Sequence, residues 1–426
     1  MDMNKLDYDN IKIRVLFILS IAAFINFNSP FYGSLFVLFF EISVINLIHI
    51  TYKKQIKNHV KSIYYKELII LLLFLTIITI STLISLYVYL GEVRSFYSLI
   101  RYLEIVTHII FCFYLSIYFT YNRQNKHFFL PVCLSICIAA LVLFLDYNFN
   151  PNSIMNYEKN RIIIASNIRY LGYIAMLGCL YCIISMTLEI CFKKKMYLNA
   201  LFVINFSLLF WLGGRGAILA LLISTLLSIS LISINFILKA KSVLYTLGLM
   251  TVSCIISIPF NVYQWNGLNR FFRLSQSPDL TLDKLSTGRL DLWIESINLI
   301  SENLIIGHGP EAHIFKTKIG LLQPHNFVLQ FLLEFGILGT IGFIAILYNI
   351  IRMAIRNVKM DNNINNVYCY GVVVGITIHG LYDGTLYHAP PVILFIIATA
   401  YVLAGNFKLR NNFTENQINN VAIKEK

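Results

Sequence analysis

The chain has 426 residues, of which 58% are hydrophobic and only 13% charged, and its formal net charge is +13. A soluble protein needs more polar surface than this to cover a core of such size. A secreted disulfide scaffold is excluded as well, because the eight cysteines all lie inside or at the ends of apolar runs and none falls in the large hydrophilic segment.

In chain order, twelve apolar stretches are each expected to cross a hydrocarbon layer about 30 Å thick. They fall near 15–28, 31–50, 67–90, 99–121, 128–147, 170–192, 198–213, 216–238, 243–262, 325–350, 367–382 and 390–405. The first follows Lys12 and Arg14 as the core of a signal peptide would, but no small-residue cleavage site comes after it. It is therefore read as a retained span. The fold class expected is an all-α integral membrane protein, one polytopic unit over 1–426 with a cytoplasmic tail at 406–426.

The connecting segments alternate in character. "KKQIKNHVKSIYYK", "NRQNKH", "KKK", "KAK" and "RMAIRNVK" are short and Lys-rich, and the positive-inside rule makes their side cytoplasmic, together with both termini. The opposite, outer segments hold twice as many arginines as lysines. Topology needs only charge, whereas guanidinium adds a planar fork of donors suited to phosphate oxygens. An anionic ligand on the outer face is one reading of that bias, and lipid headgroup contact is the other.

The one large hydrophilic segment is 263–324, on the outer side. Within it, "STGRLDLWIESINLISEN" has a helical period, with Leu290, Trp293, Ile294, Ile297 and Ile300 as an apolar stripe. Such an amphipathic helix is expected along the membrane surface or across the bundle.

Three helix starts converge on this outer side. Gly213 and Gly214 break the chain and put Arg215 at the start of the eighth span. Ser286 and Thr287 suit the cap of a helix whose first turn holds Arg289, and Pro324 suits a helix start opened by His325 and Asn326. Helix N-termini favour anions, and Arg270 and Arg273 in "NRFFRLS" add a third basic element. A diphosphate site fits this set. Taken singly, Arg215 also reads as a headgroup anchor, and Arg289 as the partner of Asp291 or Glu295.

At a helix N-terminus the imidazole of His325 is disfavoured in its charged form, so it suits general-base work. A plain polar cap is the competing reading, and spacing does not separate His325 from His308, His313, His379 or His388. Asp279, Asp283 and Asp291 are too scattered for metal ligation. "GHGP" at 307–310 lacks the Lys-Ser/Thr ending of a nucleotide loop. Glu41, Glu104 and Glu334 lie within spans, where a proton path or structural pairing would explain them.

Together, "GGRGA" at 213–217, "STGRLDLW" at 286–293, and "GHGP" followed by "PHNFVLQFLLEFGILG" resemble the O-antigen ligase and polymerase superfamily of bacterial inner membranes. The resemblance covers roughly 200–345. It implies a GT-C-like glycosyltransferase working at the periplasmic face without metal, nucleotide or other cofactor. Its partners would be an undecaprenyl-diphosphate-linked glycan as donor, a lipid A-core acceptor and membrane lipids, with no nucleic acid. Carried across, His325 is similar to the family's catalytic base, and Arg215 and Arg289 to the arginines that hold the donor diphosphate. Arg270 or Arg273 would add a contact, and Arg161 in "NRIIIASNIRY" is a weaker candidate of the same kind. The loop "HGLYDGTLYHAPP" at 379–391 belongs to the same outer pocket with no role assigned to Tyr382, Asp383, Tyr387 or His388. Within the superfamily, the twelve-span plan and single large outer loop favour a ligase. The alternatives are a polymerase joining undecaprenyl-linked repeats, a protein O-oligosaccharyltransferase, and a transporter of the lipid-linked sugar.

Overall fold

The structure is a computed structural model. It describes residues 12–14, 17, 30–61, 65–122, 124–149, 162–165, 167–258, 289–317 and 323–424. The first expected span, 15–28, lies almost wholly outside these, as do Ser286 and Thr287. Among the described residues the chain is helical throughout and has no strand.

The helices are α1 (Pro30–Thr51), α2 (Lys53–Lys61), α3 (Tyr65–Val88), α4 (Val93–Tyr121), α5 (Leu130–Phe149), α6 (Ile168–Leu188) and α7 (Phe192–Trp211). They continue with α8 (Arg215–Leu231), α9 (Phe236–Ser257), α10 (Arg289–Glu302), α11 (Ala312–Lys316), α12 (Phe327–Met360), α13 (Ile364–Gly380) and α14 (Ala389–Lys424). Seven of these are long and apolar enough to cross a membrane, and two stretches, Leu130–Asp146 and Arg215–Leu231, are shorter apolar helices. With α7 and α13 they account for every expected span after the first. The chain is a multi-pass membrane protein. Asparagine starts four of the helices: Asn167, Asn235, Asn326 and Asn363 each accept from N–H groups in the following first turn, filling donors that the helix leaves unpaired.

α6 forms the centre, buried without interruption from Leu171 to Met186 and packed against α5, α7, α8 and α13. The acids inside the spans are paired. Glu41 accepts from His108 Nδ1 at 2.7 Å, Glu104 from Arg101 at 2.9 Å, and Glu334 from Gln330 at 2.7 Å and the Glu311 N–H at 3.1 Å. These bonds satisfy the carboxylate oxygens, and for Glu41 and Glu104 the partner can also carry the opposite charge.

The Lys-rich connections gather at one end of the bundle. Lys126 pairs with Glu189 at 2.9 Å, and Asn365 Nδ2 donates to the Asn125 carbonyl at 2.9 Å. Arg289, Arg215 and Arg169 lie in the first turns of helices at the other end, where His325 precedes the cap of α12.

The amphipathic segment is a helix packed on the bundle, but through a different face from the expected stripe. α10 runs into the bundle beside α12: Trp293 Nε1 donates to the Pro324 carbonyl at 2.8 Å, and Ile300 packs with Leu333. Its buried positions are Leu292, Ser296 and Ile300, one residue per turn, while Ile294 and Ile297 of the expected stripe are more than half exposed. In a membrane an exposed isoleucine faces lipid, so an apolar stripe does not identify the packed face.

Below α10 the "GHGP" turn enters a break in α12. Gly336 there is left-handed (φ 64°, ψ −168°), roughly 13 Å down the helix at 1.5 Å per residue. Around the break the His308 N–H donates to the Leu333 carbonyl, Gly309 N–H to Glu334 and Ile337 N–H to Leu304, each at 2.8 Å. Irregular backbone is tolerated at such depth because these bonds satisfy it. A Cβ on Gly336 would lie 2.3 Å from the Ile305 carbonyl oxygen, and one on Gly307 would lie 2.4 Å from Glu334 backbone. Both clashes are with backbone, so neither is relieved by a rotamer change. Gly336→Ala is therefore expected to destabilise the protein by about 3 kcal/mol or more, read as a fall in folded yield and detergent melting temperature. Gly248→Ala, where a Cβ meets nothing within 4 Å, is the neutral control.

Candidate active site

The site assembles on the turn between α13 and α14. This turn hangs from the end of α13, where Tyr382 and Asp383 N–H groups donate to the His379 carbonyl at 3.2 and 2.9 Å, and His379 Nδ1 bonds Thr385 Oγ1. The far end of the turn is held from below. Arg101 Nη2 donates to the Tyr387 carbonyl at 3.0 Å with its guanidinium 4.3 Å over the Tyr387 ring, and Tyr387 OH donates to Glu311 at 2.5 Å. Burial pushes the Glu311 carboxyl up, against the opposing pull of Arg101.

Asp383 is the hub. Its Oδ1 accepts from His325 Nδ1 at 3.0 Å and from the Gly384 N–H at 2.8 Å, and lies 3.8 Å from Arg169 Nη1. Its Oδ2 is 3.6 Å from Arg289 Nη2. Burial alone would raise the Asp383 carboxyl, but the His325 hydrogen bond and the Arg169 charge outweigh it and hold the group well below the usual carboxylate range. The side-chain exposures run from Asp383 at 10%, through His325 at 16% and Arg289 at 19%, to Arg169 at 36%. An approaching ligand meets the cations and imidazole before the carboxylate.

His325 does not open α12 itself. Asn326 is the cap, accepting from Val328 and Leu329 N–H at 2.9 and 3.2 Å, and His325 precedes it in the left-handed region with φ 55°. A non-glycine residue there is strained by roughly 1 kcal/mol, and the Asp383 bond holds it in place. The consequence is chemical. With Nδ1–H donated to Asp383, the lone pair of a neutral imidazole sits on Nε2, which faces Arg169 Nη1 at 3.5 Å.

The arginines come from separate helix starts. Arg289 Nη1 donates to the Tyr382 carbonyl. Arg215 begins α8 behind Gly214, and it acts on Arg289 as a like charge. Tyr382 ties that start to the turn, since its OH donates to the Gly216 carbonyl at 3.0 Å and its ring would lie 2.8 Å from any Cβ at Gly216. Arg169, in the first turn of α6 behind the Asn167 cap, completes the set. Two guanidinium groups thus flank one carboxylate, with Arg215 close enough to act on Arg289, an excess of positive charge suited to a diphosphate.

Arg161, Arg270 and Arg273 lie outside the described residues. Sequence reasoning passed over Arg169, although "SNIRY" carries the same signal as Pro-His-Asn: an Asx cap with a basic residue beside it. Among the described residues no three His, Cys, Asp or Glu side chains cluster as metal ligands would.

Residues 200–344 match the family model described as O-antigen ligase. That match supports the O-antigen ligase and polymerase superfamily. No curated protein matches the chain. The O-antigen ligase segment contains Arg215, Arg289 and His325. Arg169 and Asp383 come from outside it, so the site is closed by α6 and by the α13–α14 turn.

His388 supports the turn from its other side. Gln323 Nε2 donates to His388 Nε2 at 2.7 Å, and burial lowers the His388 pKa to about 3 from 6.5. A histidine kept neutral in the folded state leaves the unfolded chain binding the extra proton below pH 6.5. Stability from this group is therefore intact above pH 6.5 and lost as pH falls from 6.5 toward 3. Between pH 7 and 5 the loss is about 2 kcal/mol. His388→Gln is expected to flatten the acid side of the melting temperature against pH; an unchanged slope would contradict the neutral assignment.

Proposed function

We propose that this protein is an inner-membrane glycosyltransferase that moves an undecaprenyl-diphosphate-linked O-antigen polysaccharide onto a lipid A-core sugar hydroxyl. Both termini are cytoplasmic and the reaction takes place at the periplasmic face. The observation that carries the reading is the His325–Asp383 pair flanked by Arg169 and Arg289, with Arg215 acting on Arg289 and the O-antigen ligase match over 200–344 supporting the class.

The donor diphosphate binds the arginines. Its charge draws Arg169 from its 3.5 Å approach to His325 Nε2, which leaves that lone pair free for the acceptor. The acceptor hydroxyl gives its proton to Nε2 while its oxygen attacks the anomeric carbon. The bond from that carbon to the diphosphate oxygen breaks, and the electron pair leaves with the lipid diphosphate. Attack opposite the leaving group inverts the anomeric centre. Negative charge grows on the diphosphate as the bond breaks, and fixed guanidinium groups in a partly dry site stabilise it. Asp383 orients His325 and stabilises the imidazolium that forms. The arginines carry the charge neutralisation that a metal ion supplies elsewhere, so activity is expected to persist in EDTA.

The test is a lipopolysaccharide gel from a strain lacking this gene, beside the restored strain. Loss of long chains from lipid A-core with accumulation of undecaprenyl-linked polymer supports the ligase. Core carrying a single repeat unit would make it a polymerase using the same donor chemistry. An unchanged ladder in the deletion strain would remove both readings.

A further inference from the structure

At the Lys-rich end of the bundle, opposite His325, lies a cavity of about 670 Å³. It is bounded by the segment after α4, the turn between α12 and α13, the end of the α14 span, and Arg14. Its volume falls in the roughly 300–1,000 Å³ range of small-molecule sites. The wall combines three chemistries. Phe119 and Tyr401, with ring centroids 5.3 Å apart, give it apolar surface. Amide side chains make up much of the rest. Asn357 and Asn365, 3% and 4% exposed, spend their N–H₂ groups on the Val402 and Asn125 carbonyls at 2.7 and 2.9 Å, and their amide oxygens have no donor. The third chemistry is charge. Lys126 in the wall is matched by Glu189, and Asp361 keeps its negative charge while accepting from Asn363 at 2.5 Å; Lys408, with no ion-pair partner among the described residues, and the exposed Arg14 outweigh it.

We propose that this cavity binds a glycerol phosphate ester, its phosphate held by Arg14 and Lys408 and its hydroxyls meeting the amide-lined wall. Two sources share that chemistry: an anionic phospholipid headgroup of the adjoining leaflet, and a soluble glycerol phosphate. Basic pockets between spans on the cytoplasmic side are suited to the first. The assignment stands apart from the proposed glycosyl transfer, since Met360 at the cavity lies at the far end of α12 from His325.

The experiment is native mass spectrometry of the full-length protein released from nanodiscs of phosphatidylglycerol or of phosphatidylcholine, with and without sn-glycerol 3-phosphate. Lys408→Gln and Arg14→Gln are compared with Lys193→Gln, a control for exposed charge elsewhere on the same end. Selective retention of phosphatidylglycerol that falls about fivefold with each cavity variant, and not with Lys193→Gln, supports the lipid source. Binding of sn-glycerol 3-phosphate that the same variants abolish, with no preference between the lipids, supports the soluble source. Equal retention of both lipids without glycerol phosphate binding, or cavity variants that match Lys193→Gln, overturns the proposal.

Discussion

His325→Ala is expected to lower transfer by about 10²–10⁴-fold, the usual contribution of a positioned general base, while donor binding persists through the arginines. The lost group is the imidazole Nε2, the atom left as proton acceptor once Nδ1–H is committed to Asp383 at 3.0 Å. His325→Gly sharpens the result. The residue holds φ 55°, a conformation glycine adopts freely, so this variant removes backbone strain together with the base. If His325 were only structural, the glycine variant would keep its activity. A base predicts an inactive protein, whatever the balance between strain relieved and the Asp383 bond lost. Initial rates, donor titration and a melting curve on the two variants separate these outcomes.

The second large effect belongs to a residue outside the O-antigen ligase segment. Asp383→Asn is expected to cost about 10²–10³-fold in turnover, with the KM for the donor falling rather than rising. An asparagine there can turn its N–H₂ toward His325 Nδ1. That forces the proton onto Nε2 and takes the lone pair away from the acceptor. It also leaves Arg169 and Arg289, at 3.8 and 3.6 Å, without their counter-charge. Donor diphosphate is therefore expected to raise the melting temperature of Asp383→Asn by more than that of the unaltered protein. Equal turnover in Asp383→Asn would remove Asp383 from the mechanism.

The legibility of this protein follows from how local each signal is. Arg215 behind Gly-Gly and His325 beside Pro and Asn were readable because helix starts are written in a few adjacent residues. The pairing of His325 with Asp383 was not. It spans 58 positions, and nothing local to "YDG" distinguishes a hub carboxylate from a turn residue. Arg169 was missed for a smaller reason: the short segment also holds Arg161, and only the Asn167 cap marks Arg169 as a helix-start residue. The packed face of α10 was misread because lipid-facing and core-facing residues are both apolar, so Ile294 and Ile297 look like core until the neighbours are known. "GHGP" counted toward the family resemblance, but its structural role was not readable from the sequence. Its glycines answer a break in α12 at Gly336, and neither half explains itself without the other.

The central claim is that His325 and Asp383 act as one unit in proton removal from the acceptor. The most direct measurement is a double-mutant cycle in one purified assay, with lipid-linked donor, lipid A-core acceptor, His325→Ala, Asp383→Asn and the double variant. The account predicts that, at saturating donor, the double variant is no slower than His325→Ala, because the carboxylate aids proton removal through the imidazole. Losses that multiply, with the double variant slower than His325→Ala by the full Asp383→Asn factor, would show two independent contributions and contradict it.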